Sequence, residues 1–393
     1  MLEWLIIGGG VHGTFISHYL TAAAGVPRER LRVLDPEQEP LARWYQCCAN
    51  TGMKFMRSPD VHHLDLDPMG LRKYCFATMK EPHAALMEPY SRPSFALFRD
   101  HTVQVIARHR LRELRMAGRA QGLGFDNGRV TVETDQGRIA TKRIVLAIGA
   151  SDRPHWPGWA RELRAVGAPI AHVFSRAFHL HRLRSWEHAA VIGGGITAVQ
   201  TALALAERAP GRVSMVTRHS LRVEMFDSDP CWIGALCMQE FERASHGERR
   251  RMIAQARNRG SVPREIATDL FDAIREGRLS LICGEIALAR AIAGSRVQLT
   301  ISDDSEMPVA LLNSDLVILA TGFDRSRPGG EWLDRAIDHF ALPCHECGYP
   351  IVDANLRWRS GLYVTGPLAE LELGPVARNI IGARHAASRL GVA

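Results

Sequence analysis

Lysine is scarce in this sequence, and so are clusters of like charge. Lys54, Lys73, Lys80 and Lys142 are the only lysines among 49 basic residues, so arginine carries nearly all of the positive charge. The arginines are scattered and form no basic stripe interleaved with aromatic residues, which argues against a nucleic-acid partner. A formal net charge of +7 suits smaller anionic ligands such as phosphates.

The sequence also lacks the marks of export and of membrane insertion. No basic segment precedes the first apolar run, so we expect no secretory signal. Residues 189–206 carry no charge and approach transmembrane length, but three consecutive glycines interrupt them. A buried strand, a glycine turn and a packed helix explain this run better. We therefore expect a cytoplasmic protein without a membrane partner.

Metal-ligand spacing is missing as well. His62 and His63 are adjacent, and we interpret them as ordinary surface residues or as histidines with satisfied hydrogen bonds. Eight cysteines are present, and without an export signal we expect them to be reduced thiols. The sequence therefore predicts no metal site. Arginines 249–251 form one of the short basic clusters, which we assign to the surface of a helix.

A glycine-rich motif opens the chain. Residues 2–7 are apolar except for Glu3 and are followed by Gly-Gly-Gly-Val-His-Gly at 8–13 and an amphipathic run, as in a strand, a turn and a helix. The glycines permit a tight turn, backbone access for a pyrophosphate and close helix packing, and the helix N-terminus offers N–H groups to phosphate. Asp35 ends the next strand, where a carboxylate accepts ribose hydroxyls and repels a 2′-phosphate. This site suits FAD or NAD and excludes NADP.

The same pattern recurs in the middle of the chain. Strand residues 189–192 precede Gly-Gly-Gly-Ile-Thr-Ala at 193–198 and a second helix. The following strand ends at Arg218 rather than at a carboxylate, and arginine binds a 2′-phosphate through charge-assisted hydrogen bonds. This site therefore predicts NADP(H).

Further strands complete each unit. The apolar runs 143–150 and 315–323 both end in small residues, as buried parallel strands beneath a nucleotide should. Near the C-terminus, Gly366 follows a last strand and Pro375 is predicted to begin a terminal helix whose N-terminus faces the pyrimidine edge of a flavin. The predicted FAD-binding residues are Gly8, Gly10, Val11, His12, Gly13, Asp35, Gly149, Gly366, Pro375 and Val376. The predicted NADP-binding residues are Gly193, Gly195, Ile196, Thr197, Ala198, Arg218, Thr321 and Gly322.

These patterns predict an α/β fold with two Rossmann-like dinucleotide-binding domains, one inserted in the other. The FAD domain takes residues 1–155 and 323–393, and the NADP domain takes residues 156–322 with a helical insertion at 232–277. Linkers rich in proline and glycine are expected near 154–158 and at 324–330.

On these motifs the chain resembles the two-dinucleotide-binding-domain flavoproteins, and within them the flavin-dependent monooxygenases of the lysine/ornithine N-hydroxylase branch. Ala-Thr-Gly-Phe at 320–323, with Asp315 and Leu319 before it, is similar to the N-hydroxylase Asp-x-x-x-Leu-Ala-Thr-Gly-aromatic motif. Residues 156–158 followed by 172–178 resemble a degenerate monooxygenase linker motif, and residues 232–277 resemble the N-hydroxylase insertion.

The resemblance implies an enzyme in which NADPH reduces FAD, O2 forms a flavin C4a-hydroperoxide, and one oxygen passes to a small nucleophilic metabolite, preferably to nitrogen. Residues 52–60 occupy the region where that branch carries its substrate residues, although its glutamine–lysine pattern does not align here. Lys54 and Arg57 are the candidates for the substrate side: they could bind an anionic substrate or the phosphates of the nicotinamide nucleotide, or they could belong to a solvated face. No catalytic side chain is assigned. The sequence predicts no oligomeric state.

Cys344 and Cys347 form a Cys-x-x-Cys motif that supports a different function. Such a pair can be a redox dithiol, which would make the chain a disulfide or electron-transfer reductase. The motif follows the Ala-Thr-Gly strand instead of lying inside the NADP domain, and Gly366-Pro367 stands where such reductases usually have Gly-Asp. We therefore favour a structural loop over a dithiol or half of a zinc site. A flavin-binding redox sensor without turnover is the third possibility.

Overall fold

The computed structural model describes residues 2–126, 128–303 and 307–391. Residue 1, at the start of the predicted FAD domain, and residues 392 and 393, at its end, lie outside these described ranges. The strands are β1 (Leu2–Ile7), β2 (Leu31–Asp35), β3 (Leu86–Met87), β4 (Arg92–Pro93), β5 (Arg115–Ala117), β6 (Ala120–Asp126), β7 (Arg129–Thr134), β8 (Gly137–Leu146), β9 (Ile170–His172), β10 (Ala189–Ile192), β11 (Val213–Thr217), β12 (Arg222–Val223), β13 (Ser261–Val262), β14 (Ser280–Cys283), β15 (Glu285–Ile292), β16 (Arg296–Ser302), β17 (Pro308–Ser314), β18 (Leu316–Leu319), β19 (Arg357–Arg359) and β20 (Leu362–Val364). The α-helices are α1 (Val11–Ala22), α2 (Ala42–Thr51), α3 (Gly70–Thr78), α4 (Phe95–Arg108), α5 (Gly158–Ala165), α6 (Ile196–Arg208), α7 (Ala235–Arg243), α8 (His246–Ala256), α9 (Arg264–Arg275), α10 (Glu331–Phe340), α11 (Glu370–Leu373) and α12 (Ile380–Arg389).

The first sheet takes strands from both ends of the chain. Its order is β19-β20-β8-β1-β2-β5, and the strands from β20 to β5 run parallel. Leu5, Ile6 and Ile7 of the central strand are buried on both faces, as a parallel sheet covered by helices requires. β6 and β7 form an antiparallel ribbon that continues from β8.

The second sheet lies entirely within the middle of the chain. Its order is β14-β11-β10-β18-β9, and all of its pairs are parallel. Helix α6 connects β10 with β11, and α9 precedes β14. β15, β16 and β17 form a separate antiparallel sheet. The α/β fold class with one unit inserted in the other is therefore confirmed, whereas the exact domain boundaries stay predictions.

The two chain crossings between the sheets lie against each other. Pro154 and Phe323 form an antiparallel bridge. The His155 N–H donates to the Gly322 carbonyl at 2.9 Å, and the Asp324 N–H donates to the Arg153 carbonyl at 2.9 Å. Because Ser151–Arg153 follow β8 and residues 320–324 follow β18, this pairing holds the carboxyl edges of both sheets side by side.

Three sequence predictions are wrong in detail. Cys231 and Cys237 form a disulfide with Cα atoms 5.4 Å apart, so the expectation of only reduced thiols fails for this pair. A short 3-10 turn at Pro230–Ile233, capped by the Asp229 carboxylate, brings the two thiols together. The other six cysteines are free.

The second correction concerns the terminal helix. Pro375 begins a four-residue 3-10 turn, and the α-helix α12 begins only at Ile380, with Asn379 as its N-cap. Gly374 has φ of +74°, which lets the chain turn into this segment.

The third correction concerns the run of three arginines. Arg251 is exposed on α8 as predicted, with 73% of its side chain accessible. Arg249 is largely buried and donates to Glu372 at 2.8 Å, and Arg250 donates to the buried carboxylate of Glu370. Their partners come from the C-terminal part of the chain, more than a hundred residues away, which a local pattern cannot reveal.

Among the described residues, no helix is both long and apolar enough to cross a bilayer. The same part of the chain contains no group of three histidine, cysteine, aspartate or glutamate side chains arranged to hold a metal ion.

Candidate active site between two glycine loops

The first glycine loop lies at the carboxyl edge of the first sheet. Gly8 has φ of +106°, and a Cβ there would lie 2.6 Å from the Ala147 carbonyl oxygen, so only glycine fits. A Cβ on Gly13 would overlap the Gly8 carbonyl, which shows that this glycine permits the close packing of α1 on β1. A Cβ on Gly10 would meet no protein atom within 4 Å. Protein packing therefore gives no reason for Gly10, and the space above it is open to a ligand.

Asp35 organises the polar groups beside this loop. Its carboxylate accepts the Gly9 N–H at 2.5 Å and the Glu37 N–H at 2.8 Å, and Arg115 lies 3.3 Å from the same carboxylate. The Arg115 side chain covers the face of Gly9 where a Cβ would be, and its Nε and Nη1 are buried without a hydrogen-bond partner. Buried donors without a partner are costly, so the donor set beside the loop fits an anionic or hydroxyl-rich ligand. This arrangement fits the dinucleotide that the sequence predicts.

His12 joins the first loop to the C-terminal segment. Its Nε2 lies 3.1 Å from the carbonyl oxygen of Asn379, and its Nδ1 lies 2.8 Å from Thr365 Oγ1. Because a carbonyl only accepts, Nε2 carries the proton, and the Thr365 hydroxyl donates to Nδ1. Burial lowers the pKa of His12 to about 4, so the ring is neutral at pH 7.

The other predicted FAD-binding residues lie on this edge of the sheet. Gly149 follows β8 and has open space where a Cβ would be. Gly366 follows β20 with φ of +63°, and a Cβ there would contact the His12 ring at 3.7 Å. Pro375 and Val376 are buried in the 3-10 turn that precedes Asn379. Val11 is partly buried against the core of the first sheet. The structure brings these residues to one edge, and their roles in binding stay predictions.

The second glycine loop repeats the geometry of the first. Gly193 has φ of +152°, and a Cβ there would lie 2.5 Å from the Ala320 carbonyl oxygen. Gly195 is the N-cap of α6, whose first turn of Ile196, Thr197 and Ala198 contains no acidic residue. A Cβ on Gly195 would lie 3.1 Å from Gly260 Cα, so Gly260 borders this loop. The helix N-terminus is thus available to a phosphate.

Arg218 lies just beyond the end of β11, as the sequence predicts. Its side chain is 75% exposed, and its only charged neighbour among the described residues is Glu285 at 3.8 Å. Such a long, exposed ion pair holds the guanidinium weakly. Arg218 is therefore free to turn toward a phosphate at the strand end.

Thr321 and Gly322 lie where the second sheet meets the linkers. Thr321 Oγ1 donates to the His155 carbonyl at 2.5 Å. His172 Nδ1 accepts the Phe174 N–H, so its Nε2 donates to Thr321 Oγ1 at 3.2 Å. Burial lowers the pKa of His172 to about 4, which keeps this ring neutral. The Ala-Thr-Gly motif therefore fixes the linker as well as lying at the predicted nucleotide edge.

Lys54 and Arg57 both form contacts between the two halves of the chain. Lys54 Nζ lies 2.7 Å from Glu207 of α6, and both side chains are more than half exposed. Arg57 donates to the carbonyls of Glu224 and Met225 and to the hydroxyl of Ser261, each at 2.9 Å. These contacts give Arg57 a positioning role, and the substrate role of either residue stays a prediction.

A cavity of about 510 Å³ opens beside the paired linkers. Five arginines and two aspartates contribute to its wall. Its lining residues are Arg43, Arg119, Ser151, Asp152, Arg153, Pro154, Trp156, Arg164, Phe174, Ser175, Arg176 and Asp324. Because Arg119 follows β5 and Asp152 follows β8, the cavity adjoins the edge of the first sheet that carries the first glycine loop.

Cys344 and Cys347 lie in a tight turn that follows α10. Cys344 forms a bridge with Pro350, the His345 N–H donates to the Tyr349 carbonyl, and His345 Nδ1 lies 3.2 Å from Cys347 Sγ. Both thiols are free, and burial raises the pKa of Cys344. A raised pKa disfavours the reactive thiolate. The geometry fits the predicted structural loop.

Comparison with solved structures confirms the resemblance at the level of the fold. The ornithine N-hydroxylase of Kutzneria sp. 744, solved with reduced FAD, NADP+ and L-ornithine, is similar over 99% of this chain and 98% of that chain, with a TM-score of 0.78 and 15% identity. L-lysine 6-monooxygenase from Pseudomonas syringae is similar over 99% of both chains, with a TM-score of 0.73 and 18% identity. Bacillithiol disulfide reductase from Bacillus cereus is similar over 99% of both chains, with a TM-score of 0.59 and 19% identity.

No curated protein sequence matches the chain. A family model described as pyridine nucleotide-disulphide oxidoreductase matches residues 3–391. The chain therefore belongs to the pyridine nucleotide-disulphide oxidoreductase family.

Proposed function

We propose that the chain is an FAD- and NADPH-dependent monooxygenase that transfers one oxygen atom from O2 to a small nucleophilic metabolite, preferably to its nitrogen. The observation that carries this proposal is the pair of glycine loops on adjacent carboxyl edges, with Asp35 beside one and Arg218 beside the other. The likeness to structures of ornithine and lysine N-hydroxylating enzymes supports the reaction class.

The residues at the first loop fit FAD. Gly10 leaves space above the loop for a ligand, and Gly8 and Gly13 let the loop pack tightly against the start of α1. Asp35 lies where ribose hydroxyls would be bound. Arg115 supplies two unpartnered donor nitrogens beside the loop. FAD bound here would supply the redox chemistry and the reaction with O2, while the protein holds it in place and restricts water.

The residues at the second loop fit NADPH. Gly193, Gly195 and the start of α6 offer backbone N–H groups to phosphates, and Arg218 offers a guanidinium to the 2′-phosphate. The paired linkers at 151–155 and 320–324 keep the two edges adjacent, which is the arrangement that hydride transfer between two nucleotides needs.

The experiment is a product balance with the purified flavoprotein. NADPH oxidation in air is followed with a panel of amines and thiols, and hydroxylated product and hydrogen peroxide are both quantified. A substrate that raises NADPH use and yields product in proportion supports the monooxygenase. NADPH use that yields only hydrogen peroxide with every compound would reject it.

A disulfide reductase is the second candidate, since bacillithiol disulfide reductase shares the fold. In this reading Cys344 and Cys347 would relay electrons to a disulfide substrate. NADPH oxidation that depends on added disulfides and proceeds without O2 would favour it. A flavin-binding redox sensor is the third possibility, and neither assay would show turnover for it.

A further inference from the structure

A buried carboxylate collects three arginines from distant parts of the chain. Glu370, in α11, is fully buried. Its Oε2 accepts from Arg378 Nε at 2.8 Å and from Arg257 Nη2 at 2.9 Å, and its Oε1 accepts from Arg250. One negative charge thus faces three guanidinium groups, so this centre retains a positive excess.

Tyr349 forms the second anchor of this centre. It is 1% exposed, and the Arg250 guanidinium lies 4.4 Å above its ring. Its hydroxyl accepts from Arg378 Nη2 at 2.9 Å and lies 3.5 Å from the carbonyl oxygen of Arg325. These contacts bring Arg325, which follows the Ala-Thr-Gly strand, to the rim of the same centre.

Two arginines at this rim have no partner. Arg325 and Arg259 are both exposed, and within residues 2–126, 128–303 and 307–391 neither guanidinium has a hydrogen bond or an ion pair. The backbone N–H of Arg259 donates to the Arg257 carbonyl at 2.9 Å, so Arg259 lies next to a residue that is paired with Glu370. Partial burial and the nearby charges of Arg325, Arg378 and Arg250 lower the pKa of Arg259, consistent with guanidinium groups that face one another.

We call Arg250, Arg257, Arg259, Arg325 and Arg378 the arginine cluster. It lies between the two glycine loops: Asn379, next to Arg378, accepts a hydrogen bond from His12 of the first loop, and Gly260, next to Arg259, borders Gly195 of the second loop. Glu372, the next carboxylate along α11, is already paired with Arg249 at 2.8 Å and Arg389 at 3.1 Å. Glu372 is thus not available to neutralise the cluster, and Arg259 and Arg325 are its exposed members.

We propose that the arginine cluster binds an anionic group of the substrate, a carboxylate or a phosphate, in the cleft between the two loops. The guanidinium groups of Arg259 and Arg325 offer planar pairs of N–H donors, which match these anions in shape and charge. The positive electrostatic potential of the cluster repels a molecule whose only charged groups are ammonium groups. This inference deepens the proposed function, on which it rests, by naming a metabolite with an acidic group as the substrate.

The pyrophosphate of NADPH has the same chemistry and is the other source of an anion here, since Arg259 adjoins the second loop. Arg378 is provided by the segment that follows β20 of the first sheet, and Arg325 by the linker that leads from β18 of the second sheet back to the first. The cluster thus extends from the second loop to the side of the first sheet, which favours the substrate. A test must therefore separate the two sources.

The test uses the FAD-bound enzyme and two probes of matched length, malonate and propane-1,3-diamine, with binding measured by calorimetry. We expect malonate to bind and the diamine not to bind. Arg259→Gln and Arg325→Gln should each weaken malonate binding at least about tenfold, the loss expected for one charge-assisted hydrogen bond. Arg251→Gln is the matched control, because Arg251 is exposed on α8 and lies 3.9 Å from Glu248, and it should stay within about twofold.

A second titration adds saturating NADP+. Malonate binding that persists, with the same dependence on Arg259 and Arg325, supports an anionic substrate. Malonate binding that NADP+ abolishes would assign the cluster to the cofactor phosphates and overturn the substrate assignment. No malonate binding, or equal binding by all variants, would overturn the anion site itself. None of these readouts needs turnover, so a failure of the proposed monooxygenase activity is recognised separately by the product balance.

Discussion

The Nε2 of His12 lies 3.1 Å from the carbonyl oxygen of Asn379, so a residue of the first glycine motif is hydrogen-bonded to a residue 367 positions later. Together with the bond to Thr365 Oγ1, it ties the loop to the last strand and to the terminal helix. The loop that would hold FAD is thereby completed by the C-terminal segment.

Replacing His12 by leucine should lower both flavin content and stability. Two hydrogen bonds are lost and buried polar atoms of Thr365 and Asn379 are left without partners, at a cost of about 2–4 kcal/mol. The measurements are FAD per polypeptide and the free energy of unfolding in urea. His181→Leu, at an exposed position, is the control and should match the wild type. Full flavin occupancy and unchanged stability in His12→Leu would show that this link is dispensable.

Acid should destabilise the protein through its buried histidines. Burial lowers the pKa of His18, His63 and His172 to about 4, against about 6.5 in an unfolded chain. The unfolded state therefore binds more protons, and stability that is present above pH 6.5 is lost as the pH falls toward 4. Each of these histidines should cost about 2 kcal/mol of the free energy of unfolding between pH 7.5 and pH 5.

His18→Leu isolates one of these contributions. The variant loses the hydrogen bond between His18 Nδ1 and the Leu64 carbonyl, so it should be less stable at pH 7.5. It also loses a titrating group, so its free energy of unfolding should fall less steeply below pH 6.5 than that of the wild type. Parallel pH profiles for the two proteins would contradict the assignment of a neutral, buried ring.

Gly10→Val and Gly13→Val should fail in different ways. The Gly10 side chain would enter open space, so this variant should keep the fold and the unfolding temperature of flavin-free wild type, yet bind no FAD. The Gly13 side chain would overlap the Gly8 carbonyl and push α1 from β1, so this variant should also lose about 1–3 kcal/mol of stability, as overpacked sites do. Normal flavin content in both variants would reject this loop as the FAD site.

Arg218 should set the preference for NADPH over NADH. Loss of charge-assisted hydrogen bonds to a 2′-phosphate costs about 1.5–3 kcal/mol, so Arg218→Ala should lower kcat/KM for NADPH about 10- to 150-fold and leave NADH nearly unchanged. Arg275→Ala, an exposed arginine of α9 paired with Asp272, is the control. Equal losses with both nucleotides would show that Arg218 is structural.

The features that the sequence predicts well are local ones. Each glycine loop follows its strand directly, and the acid or arginine at the next strand end lies within the same short unit, so spacing alone is informative. The contacts of Glu370 with Arg250 and Arg257 join residues more than a hundred positions apart, and the local sequence around each residue does not predict which distant residue it contacts. The Cys231–Cys237 disulfide depends on a 3-10 turn whose geometry the composition does not encode.

The double variant Cys344→Ser/Cys347→Ser decides between the two leading functions. In a monooxygenase no thiol relays electrons, so NADPH-driven flavin reduction and product formation should stay within about threefold, less than 1 kcal/mol in the barrier. The structure supports this outcome, because the turn at 344–350 is closed by backbone hydrogen bonds and burial raises the pKa of the Cys344 thiol. Cys231→Ser/Cys237→Ser is the matched control, since it removes another close pair of cysteines.

A dithiol enzyme would instead lose turnover with disulfide substrates almost completely while its flavin was still reduced by NADPH. Loss of more than about 99% of activity in the Cys344/Cys347 variant, with FAD bound and the control variant active, would reverse our ranking in favour of the reductase, because a change of that size exceeds about 2.7 kcal/mol and identifies a group on the electron path.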